Sequence, residues 1–257
     1  MVKPKLTIVG GGPGDEDLIT LKAIKAIKNA DVILYDALIN KALLKYALES
    51  TELIYVGKRK GCYQYQQDQI NELIVYNAKS HGHVVRLKGG DPFIFGRGAE
   101  ELEYAQQHGL ETHFIPGISS SIAVPALQGI PLTRRGVAES FWIITGTTKN
   151  HQISKDISIA AQSSATVVIL MGMSKLYEII SIYSSFGKQN TPIAIIQNGS
   201  LPEEKIGIGK ISSIASIVSK KQLGSPAIIV IGAVVEHRVQ LNNISLNVRK
   251  QLNPIFS

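Results

Sequence analysis

The chain has 257 residues, 27 Lys+Arg against 20 Asp+Glu for a net charge of +7, and is 44% apolar. That length and apolar content fit an enzyme of one or two domains with a substantial core, and they exclude a disordered chain. Its single cysteine, Cys62, excludes an intramolecular disulfide framework and a Cys-rich zinc site. The longest apolar run, Ala227–Val235, is less than half a membrane span, and no signal-peptide core follows Met1, so the expected location is the cytoplasm.

In chain order, the first 115 residues alternate β-like and helix-like segments, the signature of an α/β domain with a parallel sheet. Apolar β-rich runs lie at Leu6–Val9, Val32–Tyr35, Leu53–Val56, His83–Leu87 and Thr112–Ile115. Helix-spaced apolar positions fall between them: Leu21, Ile24 and Ile27; Leu43, Leu44 and Leu48; Ile70, Leu73 and Ile74. A further helix over Leu102–His108 ends at Gly109. The break Ile115-Pro116-Gly117 marks the expected boundary between a domain over 1–115 and a second over 116–240.

The second half predicts a helix over Ser119–Leu127, then strands at Phe141–Thr145, Thr166–Met171, Ile193–Ile196, Lys205–Ile208 and Ile228–Ile231. Helices are expected at Ser174–Phe186 and Ser212–Lys220. Two strands in succession, near 193 and 205, imply a mixed sheet. The tail over 241–257 is polar and is expected to fray.

Charge divides unevenly: residues 1–115 hold 14 cations and 14 anions, whereas 116–257 hold 13 and 6 and so carry the whole +7. A basic half can attract nucleic acid, anionic lipid or an acidic small substrate. No Lys/Arg-rich arm or aromatic RNA-binding signature accompanies it.

Ligands of open α/β sheets sit beyond the carboxyl ends of the strands. Those ends here read Gly10-Gly-Gly-Pro-Gly-Asp15, Asp36, Gly57-Lys58-Arg59, Gly89-Gly90-Asp91-Pro92 and Pro116-Gly-Ile-Ser-Ser120. All five carry glycine, charge or hydroxyl, as a cleft would. The first is neither a dinucleotide fingerprint, since Asp15 stands where the third glycine belongs, nor a P-loop, since no Gly-Lys-Ser/Thr follows. A proline between glycines gives a stiff loop with few donors, suited to a neutral or cationic ligand.

Arg86 lies inside the fourth apolar run and needs a partner there. Two readings stand: an internal salt bridge with Asp91 or Asp36, or a guanidinium pointing into the cleft to grip a carboxylate. The histidines show no metal-ligand spacing. Ser119–Ser121 lack a nucleophile elbow and read as a helix cap. Met171 closes a strand, where a thioether can pack on an adenine or a sulfonium.

Taken together, Val9–Asp15, Ala30–Asp36, Tyr55–Arg59, Val84–Arg97, Pro116–Ser121, Gly129–Thr133, Met171-Gly172 and Ser225–Ala227 resemble the tetrapyrrole methylase family, and within it the members acting on uroporphyrinogen III. The similarity runs over about residues 5–235. It implies a homodimer of two α/β domains with a cleft between them, using S-adenosylmethionine and no metal to methylate C2 and C7 and give precorrin-2. By motif position, Pro13, Gly89, Gly90, Asp91, Ile94, Ser119, Ser120, Met171, Gly199 and Ala227 would hold the cofactor. Asp36, Lys58 and Arg86 would do the acid–base work, with Arg86, Arg134 and Arg135 on the substrate's carboxylates. The chain departs from the family at Gly61-Cys62-Tyr63 and at Leu132-Thr-Arg-Arg135, where histidines are common, so no histidine is given a catalytic role. Rival readings are a methyltransferase of a later precorrin and, on the +7 charge, a ribosomal RNA methyltransferase of the same superfamily.

Overall fold

A computed structural model describes residues 3–57 and 65–241; Lys58, Cys62 and residues 242–257 lie outside them. Five strands, β1 (Lys5–Gly10), β2 (Val32–Tyr35), β3 (Glu52–Tyr55), β4 (His83–Lys88) and β5 (Glu111–Ile115), pair in parallel in the order β3-β2-β4-β1-β5. A parallel sheet is covered on both faces, which explains why these strands read as unbroken apolar runs instead of alternating ones. Leu6, Ile8, Leu34 and Val84 face one layer of core, and Val9, Ile33, Val85 and Leu87 face the other.

Helices α1 (Leu21–Lys28), α2 (Gln67–His81) and α3 (Gly98–Gln107) fill the crossovers. The Thr20 hydroxyl starts α1 by accepting from the Ala23 amide at 3.1 Å. The segment expected to be helical around Leu43, Leu44 and Leu48 is a 3-10 helix over Lys41–Tyr46. It has only six residues, is capped by Asn40 and ended by Ala47, and buries Leu43 alone, too little for a stable α-helix.

The second sheet holds β6 (Phe141–Thr145), β7 (Thr166–Leu170), β8 (Pro192–Gln197), β9 (Lys205–Lys210) and β10 (Ala227–Ile231), in the order β6-β7-β10-β8-β9. Only β6 and β7 pair in parallel, so the sheet is mixed, as the two successive strands implied. Helix α4 (Ser120–Leu127) lies on one face, where Val124 meets Val168, Ala194 and Val230. Helices α5 (Asp156–Gln162), α6 (Leu176–Ser185) and α7 (Ile214–Lys221) cover the other. Helix α5 went unforeseen because its apolar stripe, Ile157, Ala160 and Ala161, is only one turn long.

Glycines bring the strand ends together. A Cβ on Gly10 would lie 2.4 Å from the Gly117 nitrogen, and one on Gly117 would lie 2.2 Å from the Gly90 carbonyl oxygen. The Gly90 amide donates to the Gly12 carbonyl at 2.7 Å, and the Gly12 amide returns a bond to Gly90 at 3.3 Å. The loops after β1 and β4 are thus joined by backbone hydrogen bonds, and the Gly117 amide of the loop after β5 donates to Asp91 Oδ2 at 3.1 Å.

His83 ties β4 to β1 and to the end of α1. Its Nδ1 lies 2.7 Å from the Asn29 carbonyl, which can only accept, so Nε2 is the acceptor for the Thr7 hydroxyl at 2.8 Å. Burial holds this imidazole below its ordinary pKa.

Two outcomes follow. Gly117→Ala is expected to lower stability by about 3 kcal/mol, because its new methyl meets backbone that cannot yield. Gly109→Ala, with φ +80 and nothing within 4 Å of the added carbon, should cost about 1 kcal/mol; urea midpoints of the two variants give the comparison. With its folded pKa depressed, His83 contributes stability that is complete above pH ~6.5 and lost as pH falls through the lower folded value. His83→Gln should therefore flatten the stability profile below that pH, and an unchanged acid slope would refute the assignment.

Candidate active site between the two sheets

The carboxyl ends of β1, β2 and β4 face the ends of β7 and β8 and the start of β10 across a cavity of about 570 Å³. That size is ordinary for a small-molecule site. Pro13, Gly89, Gly90, Asp91, Ile94, Ser119, Ser120, Met171, Gly199 and Ala227, drawn from six separate stretches of sequence, all line it. Two loops cross the gap: the Asp15 amide donates to the Ser200 hydroxyl at 3.0 Å, and the Ser200 amide donates to Glu204 at 2.9 Å. Gly199 is required by closeness, since a Cβ there would sit 2.3 Å from a Val124 methyl.

Among the described residues, no Lys, Arg or His lines this cavity, whereas the carboxylates of Asp91 and Glu203 do. Asp91 is held by the amides of Phe93, at 2.8 Å, and Gly117, at 3.1 Å. The cavity is therefore built for a neutral or cationic ligand, as the donor-poor glycine–proline loop implied.

A second cavity, of about 1160 Å³, adjoins it and shares Leu38, Phe95, Met171, Pro226 and Ala227. Its charged lining is the reverse: Arg97, Lys149 and His151, with Glu100. Arg97 pairs with Glu100 at 2.6 Å, and this bond is the main reason the guanidinium pKa rises and the Glu100 pKa falls. Met171 sits where the cavities meet, half-exposed, its backbone at φ 55 and its carbonyl accepting from the Thr147 hydroxyl at 2.9 Å.

Beneath the floor lies a charge network. Arg86 is 3% exposed and lines neither cavity. Its Nη2 donates to Asp36 Oδ2 at 3.1 Å, its Nη1 to the carbonyls of Leu34 and Leu87 at 3.3 and 3.0 Å, and its Nε to Glu101 Oε1 at 3.4 Å. The internal salt bridge with Asp36 is thus the arrangement found. Asp91 is not its partner, and the cleft-facing guanidinium is not observed, because four acceptors turn it inward.

Glu101, fully buried on α3, also accepts from Lys88 Nζ at 2.8 Å and from Gln67 Nε2 at 3.0 Å. Among the described residues its Oε2 has no partner. Burial first, and the neighbouring Arg86 charge second, push the Lys88 ammonium below its usual pKa. Asp36, at the end of β2, keeps Oδ1 on the Leu38 amide at 3.1 Å, beside the first cavity. Lys58 lies outside the described residues.

Arg134 and Arg135 are brought to neither cavity. Hydrogen bonds between Arg134 and Ala138, with Gly136 at φ 75, close a tight turn that leaves both side chains exposed. Arg97, Lys149 and His151 were missed as lining residues. The signal for Lys149 and His151 was available: they follow β6, and strand-end inspection of the second half would have found them.

Comparison with known proteins decides the family. The model of the Tetrapyrrole (Corrin/Porphyrin) Methylases matches residues 5–215. The chain belongs to the tetrapyrrole methylase family. Among family members, the uroporphyrinogen-III C-methyltransferase of Methanocaldococcus jannaschii is 44% identical over 233 residues, covering 90% of this chain and 96% of that one. A siroheme synthase of Actinobacillus pleuropneumoniae is 42% identical, and this chain spans 48% of its length. The uroporphyrin-III C-methyl transferase of Thermus thermophilus, solved with S-adenyl homocysteine, superposes with TM-score 0.78 at 34% identity, covering 91% of this chain and 99% of that one.

For this methylase, Glu101→Ala is expected to lose about 3–5 kcal/mol, since two buried cations would be left with Asp36 alone. Guanidinium unfolding measures it, and a loss below about 1 kcal/mol would show that the network is not coupled through Glu101.

Proposed function

We propose that this chain methylates uroporphyrinogen III at C2 and C7, giving precorrin-2, with S-adenosylmethionine as methyl donor. The observation carrying the proposal is the pair of cavities of opposite lining charge that share one apolar wall. A cationic donor suits the first and a polycarboxylate the second. The activity named for the Methanocaldococcus jannaschii relative and the ligand of the Thermus thermophilus structure support the same assignment.

The first cavity fits the cofactor because its floor is backbone that added Cβ atoms would fill, and no side-chain cation opposes a sulfonium. The ten lining residues named above would hold it. When bound, it supplies a methyl group already activated for transfer to carbon.

The chain's remaining task is placement and proton handling. A reduced pyrrole is itself an electron-rich carbon nucleophile, so holding it in line contributes most of what catalysis needs. Lys149 is placed to take a substrate carboxylate, beside Arg97, whose fork is held by Glu100 through Nε at 3.0 Å and Nη2 at 2.6 Å. Asp36 takes up a proton at Oδ1, while Arg86 on Oδ2 keeps the carboxylate oriented. Lys58, from the loop after β3, is proposed as the proton partner of Asp36. The working form is a cytoplasmic homodimer of domains 1–115 and 116–240, needing no metal, nucleic acid or membrane. Among the described residues no helix is long and apolar enough to cross a bilayer.

The test is anaerobic incubation with uroporphyrinogen III and isotopically labelled S-adenosylmethionine. Two labels per tetrapyrrole are expected, and an unlabelled product from folded protein would overturn the proposal. Asp36→Asn should lower kcat by about 100-fold or more while S-adenosylhomocysteine affinity, read by calorimetry, stays within about twofold.

A further inference from the structure

Phe95 is the sole aromatic side chain among the described residues that line the first cavity, and it lines the second as well. Phe95 is 45% exposed, so much of its surface is left open. Phe93, two residues earlier, behaves differently and stacks on Phe114 with ring centroids 3.9 Å apart. The Phe95 backbone stands at φ 55, a region that L side chains avoid, and Arg97 follows at φ 59. The loop is locked in this form by the Gly98 amide on the Pro92 carbonyl at 3.0 Å and the Ile94 amide on Asp91 at 3.1 Å. Gly96 is packed so tightly against Pro92 that a Cβ would lie 2.6 Å from its carbonyl oxygen. A strained loop therefore presents a half-exposed ring at the wall between the two cavities.

An aromatic face carries negative electrostatic potential and attracts a cation placed over it, most strongly where water is excluded. Of the two lining carboxylates, Asp91 already accepts an amide on each oxygen. We propose that the Phe95 ring recognises the positive charge of the sulfonium by a cation–π contact, so that the site distinguishes the charged methyl donor from its neutral demethylated product. The inference rests on the cofactor assignment made above. It gives the ring a purpose that packing does not: the attraction exists before transfer and is gone once the sulfur is neutral.

Calorimetric binding of S-adenosylmethionine and S-adenosylhomocysteine tests this without turnover. In Phe95→Leu, the ratio of the donor's Kd to the product's Kd should rise about five- to thirty-fold over wild type. In Phe95→Tyr, which keeps the ring face, the ratio should stay within about twofold. Retained S-adenosylhomocysteine binding reports that each variant is folded, and Phe95→Met serves as a second ring-free variant should Phe95→Leu not fold. A ratio unchanged in the ring-free variants, equal loss of both ligands, or a ratio that moves in Glu203→Gln and not in Phe95→Leu overturns the inference while leaving the cofactor assignment intact. Failure of the wild-type chain to bind either ligand overturns the cofactor assignment, and the inference with it.

Discussion

The contact of backbone with backbone at Gly10, Gly90 and Gly117 is the constraint on which the cleft depends. It fixes the loops after β1, β4 and β5 against one another, with spaces too small for any Cβ. The second sheet does the same where β6 and β7 end: a Cβ on Gly146 would lie 2.4 Å from the Gly172 α-carbon. Both sheets thus offer backbone rather than flexible side chains to the space between them. Such walls change shape little on binding, so geometry is set before a ligand arrives. Of the five residues the two cavities share, Phe95 and Met171 stand on left-handed backbone.

Beneath this floor, Arg86, Lys88, Asp36 and Glu101 form a balanced cluster of two cations and two carboxylates. Apolar side chains of the same volume would fill the space without the cost of desolvating four charges. Stability alone therefore gives no account of the cluster. Its geometry does: Asp36 accepts from the amide of Leu38, which lines the first cavity, and Arg86, itself braced by Glu101, holds it from behind. The chain of contacts runs from α3 through Glu101 to Arg86 on β4 and on to Asp36 on β2, so the carboxylate's orientation is set by elements far apart in sequence.

Strand positions were legible because a parallel sheet buried on both faces demands unbroken apolar runs, and the strand-end rule then pointed to the first-half loops that line the first cavity, while the segments around 170, 198–203 and 226–228 in the second half lay outside it. The motif at Val84–Arg97 also carried the family. Three features resisted. Arg86 needed a partner, but nothing local marks Glu101, fifteen residues on and across a helix, as the carboxylate it meets. The family resemblance puts Arg134 and Arg135 on the substrate's carboxylates, yet their side chains follow a surface turn with Gly136 at φ 75. Helix α5 has too short a stripe to show a period. In each case the deciding fact is a tertiary contact or a turn, neither of which has a one-dimensional signature.

The placement of charge also corrects the meaning of the +7. All of that excess belongs to residues 116–257, yet of the Lys and Arg there only Lys149 lines a cavity among the described residues. Arg97, the forked cation of the second cavity, comes from the half with no net charge. The surplus on the second half acts through the field of the whole surface, which attracts a polyanion from a distance but is screened over about 8 Å at physiological salt. Long-range attraction and local charge are therefore separable here: net charge sets the first, and among the described residues the second cavity's own cations are Arg97 and Lys149, beside a cavity lined by none.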